Sequence, residues 1–291
     1  MDKRLVAFPH IAALSMLFVI GNGVVVFPFR GSNQFGFSAY LVSVILLLIL
    51  YPLVSIALEK IKLPAALKLF GLIGSAVFAL FCAAQSFSDL IGFVSRVVLS
   101  RTPKFFIAVI LGLTVLYFVT RKKENLIKFS LISGVLTFLV VIFFFAAASP
   151  KYDLQNIFIF RLPGGADFWQ QIKPYLINPL IHSFLLPVYF KLAFQRVYVK
   201  EGTVGSLTGA VLLGMCVLAS ILLFGADFAG ELSYPFNSAV STVNVGRLFT
   251  RLDGFAYFIY FVCGLIKIIL CVSLSVLCLK KVSKSVDKGK K

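Results

Sequence analysis

Lys267 is the only charged residue in the apolar stretch 254–279. A lysine near mid-bilayer costs at least about 2.5–3.5 kcal/mol to insert, so it should face the bundle or water, where its amine can carry a proton. Asp89 lies near the outer end of its own apolar segment. It is a candidate partner for Lys267, though poorly matched in depth, and reads more readily as an interfacial helix-end charge. His182 and Ser183 stand in a segment that also holds Asn178-Pro179 and Pro187. Proline removes a backbone donor, which makes this segment a candidate for a discontinuous helix, and His182 is its candidate proton-accepting group. Gly21-Asn22-Gly23 interrupts the first apolar run, and each glycine costs about 1 kcal/mol of helix stability relative to Ala. Either the helix breaks there and turns backbone groups toward a substrate cavity, or the glycines allow close helix packing. Gly205-x-x-x-Gly209 reads as packing alone.

No enzyme chemistry is legible. The two histidines, His10 and His182, have no carboxylate at metal-ligand spacing, and neither a Ser–His–Asp pattern nor a glycine-rich phosphate loop occurs. The expectation is no catalysis, no cofactor and no metal. Cys82, Cys216, Cys263, Cys271 and Cys278 fall in apolar segments without CxxC spacing and read as small buried hydrophobes.

The elements that position these residues are membrane spans. Of 291 residues 60% are hydrophobic, 32 are Phe, and only 13% are charged, about half the usual share in soluble domains. One soluble core could not hide that much apolar surface. Runs of roughly 20 apolar residues mark helices, and they fall at about 5–29, 35–58, 69–98, 105–120, 129–148, 174–193, 202–226 and 254–279. The expected fold is an all-α integral membrane protein, one transmembrane domain over 1–291. A further short helix, at about 235–250, should lie on the outer interface. The first run is too long for a signal h-region and is read as a retained helix. Eight crossings put both termini on one side. That side carries twice as many Lys and Arg as the other, which places the termini in the cytoplasm. Topology thus accounts for the net charge of +17, and nucleic acid drops out as a partner in favour of the lipid bilayer.

Tyr234-Pro235, followed by the sequence ending Val245-Gly246-Arg247-Leu248-Phe249-Thr250-Arg251-Leu252-Asp253, resembles the YP…G-x-F-x-R-L-E stretch of spore germinant-receptor B subunits, the GerAB-like family of the amino acid–polyamine–organocation (APC) transporter superfamily. Asp253 stands where that family usually has Glu. Thr102-Pro103, the Tyr152-Asp153-Leu154-Gln155-Asn156 segment and Gly21…Pro28 are similar to the family in the same order. The resemblance implies an inverted-repeat bundle with broken first and sixth helices, here without the last two of about ten helices. It implies a subunit in the spore inner membrane that senses a small nutrient such as an amino acid, beside A- and C-type subunits. The implied ligand site is Gly21, Asn22, Gly23, Asn178, His182 and Ser183. Lys267 would stand near the place where sodium-coupled relatives hold a cation. Two other expectations stay open: a proton-coupled amino acid or amine transporter using Lys267 or His182, and a structural membrane subunit that binds no small molecule.

Overall fold

The computed structural model describes residues 8–25, 36–60, 64–157, 165–243 and 253–289. These residues are helical, with no strand among them. The long helices are α1 (Phe8–Val25), α2 (Gly36–Lys60), α3 (Ala65–Phe93), α4 (Lys104–Thr120), α5 (Lys123–Ala148), α6 (Gly165–Phe194) and α7 (Val199–Phe224). Two short helices follow, α8 (Ala226–Glu231) and α9 (Pro235–Thr242), before the last long one, α10 (Asp253–Gly289). Among the described residues five segments are long and apolar enough to cross a membrane: Phe37–Lys60, Leu69–Val98, Lys123–Lys151, Val199–Phe224 and Asp253–Ser283. The apolar helices Phe8–Gly21, Lys104–Thr120 and Pro179–Phe194 are shorter among the described residues, at 10–17 residues. Of the outer helix expected over 235–250, α9 forms the first part, with Pro235 at its first position, where a missing N–H costs nothing; 244–252 lie outside the described residues.

Burial separates centre from rim. In α10 72% of the most apolar window is buried, against 22% in α2. On α3 and α4, Phe70, Phe81, Phe105 and Ile110 are exposed, as lipid-facing side chains are.

The centre is built by removing side chains. Gly205 and Gly209 of α7 lie against the backbone of Ala12 and Met16 of α1, and a Cβ at Gly209 would stand 2.7 Å from the Met16 carbonyl oxygen. Gly134 of α5 packs on Ala13 and Met16. Gly21 of α1 packs on α10, where a Cβ would stand 2.5 Å from the Cys263 carbonyl oxygen. Helix α1 is therefore clasped on three sides by close backbone approaches, the packing that membranes favour. All five cysteines are free and buried, as their apolar settings imply.

Two expected breaks are absent. Helix α1 runs through Gly21-Asn22-Gly23 to Val25 without unwinding, because the missing Cβ of Gly21 serves the contact with α10 and not a turn. Helix α6 is likewise continuous through Asn178-Pro179 and Pro187. A proline removes one ladder bond, and the packed neighbours of a membrane helix hold the remainder in place.

Candidate functional site

Three side-chain settings surround α1. The first is Lys267, 4% exposed on α10. A Cβ at Gly21 would come within 3.3 Å of its Cβ, so α1 and α10 touch at this level. The seam between α3 and α10 is antiparallel. The Ser275 hydroxyl donates to the Ala76 carbonyl at 3.0 Å, and at the other end the rings of Phe93 and Tyr260 stack with centroids 4.2 Å apart. That register sets Lys267 level with Gln85 and leaves Asp89 one helical turn away. The charge of Lys267 acts on Asp89, Cys82 and Cys271. Asp89 is half-exposed and hydrogen-bonds with Gln85, while its Oδ2 is buried with no hydrogen-bond partner among the described residues. Its place at the edge of the α3–α10 contact fits both a helix-end charge and a partner of Lys267.

The second setting is His182, 1% exposed on α6. Its Nε2 lies 2.7 Å from the Ser206 hydroxyl, and that hydroxyl donates to the Gly202 carbonyl at 2.7 Å. A serine has one proton to give, so in a neutral imidazole the proton sits on Nε2 and points at Ser206. Nδ1 is then a bare acceptor, buried and without a partner among the described residues. The rings of Phe18 and Tyr51 lie against the imidazole, with centroids 5.2 Å and 5.7 Å away. Ser183 Oγ beside it is also buried and unpartnered. An unmet buried polar group costs about 1–3 kcal/mol, and three such atoms (His182 Nδ1, Ser183 Oγ and Ser55 Oγ) occur on α6 and α2.

The third setting joins Thr137, Cys263, Tyr260 and Asn237. Thr137 lies against the Cys263 thiol and Tyr260 against the Asn237 backbone, yet Thr137 Oγ1, Tyr260 Oη and Asn237 Oδ1 are buried with no well-aligned hydrogen-bond partner among the described residues. Tyr260 is fully buried under Phe93, Phe236 and Tyr234. An outward-facing apolar groove of about 400 Å³ lies between α5 and α10, lined by Leu136, Val140, Gly254, Phe255 and Phe258. It offers no polar group for recognition.

Of the expected ligand residues, Gly21 lies on α1 against Cys263 and Lys267 of α10, His182 packs on Phe18 of α1 and Ser183 is buried on α6; Lys267, expected as the coupling residue, is the one that Gly21 meets. Asn22, Gly23 and Asn178 continue their helices, and their side chains lie outside the described residues. Tyr234 packs edge-on against Phe93 at 5.1 Å, Pro235 opens α9 and Asp253 opens α10; Arg251 lies outside the described residues. The Tyr152–Asn156 segment ties off helix ends. Asp153 N–H and Asn156 Nδ2 both donate to the Leu222 carbonyl, at 3.1 Å and 3.2 Å, and Asp153 Oδ1 accepts from Gln155 N–H at 2.9 Å. Tyr152 donates to the Phe145 carbonyl at 3.0 Å, and burial pushes its hydroxyl pKa up. Sequence reasoning missed Ser206, Tyr51 and Tyr260. The signal for Ser206 was present, since it sits inside the Gly205–Gly209 packing motif beside a lone histidine's helix.

No family model matches the chain, and none of the curated proteins matches it.

Proposed function

We propose that the chain is a ligand-sensing membrane subunit of the spore germinant-receptor B type, with both termini in the cytoplasm of the spore inner membrane. In this reading a small nutrient such as an amino acid binds beside α1 and shifts a conformational equilibrium that A- and C-type partner subunits read. The observation that supports it most is that His182 Nδ1 and the hydroxyl of its sequence neighbour Ser183 are both buried without a partner among the described residues. Both are acceptors that a ligand ammonium or hydroxyl would satisfy, on a helix whose His182 ring packs against Phe18 of α1. The Tyr234–Asp253 stretch supports the family assignment. The buried Lys267 favours a second reading, a proton-coupled amino acid or amine transporter of the APC type. A structural subunit without ligand is the third.

Radiolabelled alanine and a small amino acid panel, presented to proteoliposomes with and without an inward proton gradient, separate the three. Saturable binding without uptake, abolished by Asn22→Leu and by His182→Phe, is the expected result. Gradient-driven uptake abolished by the same substitutions would make the protein a transporter. Neither binding nor uptake would leave the structural subunit.

A further inference from the structure

We propose that Asp89 and Lys267 form a proton-exchange pair across the seam of α3 and α10. This goes beyond sensing or transport and stands for either. The titratable groups whose charge reaches Lys267 are Asp89 and Cys82 from α3 and Cys271 from its own helix. Helix α1 presents Gly21 there, which has nothing to titrate. Among the described residues Asp89 is therefore the one carboxylic acid in reach of the amine. Asp89 is half-exposed and hydrogen-bonds with Gln85, while its Oδ2 is buried without a partner among the described residues, so the two groups share a seam without closing into a contact. Two opposite charges left apart in a low-dielectric slot are not a structural staple, which would require direct hydrogen bonds to offset desolvation. The arrangement suits transfer.

The step balances without a further reactant. The Asp89 O–H bond breaks as an N–H bond forms on Lys267, a carboxylic acid and an amine becoming a carboxylate and an ammonium. A bridging water relays the proton across the gap, and the reverse step restores the acid. Asp89 lies on the Lys267 side nearer Phe93 and Tyr234, so it is the partner facing the end of the bundle where α9 packs.

Infrared difference spectroscopy on the full chain in lipid nanodiscs tests this through the carbonyl band of a protonated buried carboxyl. Removing the ammonium with Lys267→Met leaves Asp89 without a counter-charge, so a protonated-carboxyl band should appear at neutral pH. The same band should be missing in the Asp89→Asn/Lys267→Met double variant. Lys267→Gln serves as a second variant should the methionine form fail to fold. In acid titrations the Asp89 band, assigned by its loss in Asp89→Asn, should appear at a lower pH in the unaltered protein than in Lys267→Met, and equal midpoints would overturn the pair. No new band when Lys267 is neutralised, or a band that survives Asp89→Asn, would overturn the proposal.

Discussion

A methyl group added at Gly205 would run into the Ala12 backbone on α1, whereas one added at Gly74 on α3 meets nothing within 4 Å. The same substitution should therefore have opposite signs at the two positions. Gly205→Ala should lower stability by about 1–3 kcal/mol through overpacking. Gly74→Ala should leave it unchanged or raise it by up to about 1 kcal/mol, since alanine is the better helix former. Denaturant unfolding in a lipid-like detergent reads both, and a stable Gly205→Ala would dismiss the α1–α7 contact. The Gly205–Gly209 spacing was legible as packing because small residues four apart have one common use in a membrane. Gly21 was not, because a glycine that admits a neighbour's backbone and one that lets a helix unwind look alike in sequence. Lys267 and His182 announced themselves by cost alone, whereas Ser206 and Asp89 acquire meaning only from facing helices.

Helix ends in this protein are closed by side chains from distant segments. At one end, Lys191 donates to the Leu58 carbonyl at the end of α2, and Lys123 to the Ala193 carbonyl at the end of α6, the latter at 3.0 Å. At the other, Lys151 donates to the Thr242 carbonyl of α9, and Asn156 with Asp153 closes α7. Cations and amides at C-terminal carbonyls also answer the negative end of the helix dipole. Asn156→Ala should cost about 1 kcal/mol and speed hydrogen exchange in the last turn of α7, measured by mass spectrometry. Unchanged exchange there would remove the cap. The Asp-x-x-Asn spacing could be noticed in sequence, yet its use could not, since the Leu222 carbonyl it closes is 66 residues away.

Across the whole molecule, the helix-capping contacts sort the described loops into two ends, one holding Leu58, Lys123 and Ala193 and the other Lys151, Asn156 and Thr242. With the five native thiols buried, single cysteines report sidedness cleanly. In intact cells an impermeant maleimide should label Lys151→Cys and reach Lys122→Cys only after permeabilisation; the reverse pattern would invert the topology. The run lengths of apolar residues made the helices legible, because a bilayer imposes one length on all of them. Their neighbours were not legible, since lipid tails are as apolar as leucine and hydropathy cannot say which helix faces another. The clasp around α1 has a consequence for biosynthesis. Its three tightest partners are α5, α7 and α10, and α7 begins only at Val199. At 5–20 residues per second, about 10–40 s of synthesis separate the first helix from that partner. During that interval the small-residue faces meant for it wait in the bilayer unmatched. Helix α1 thus gains its closest neighbours only after most of the chain that follows it has been made.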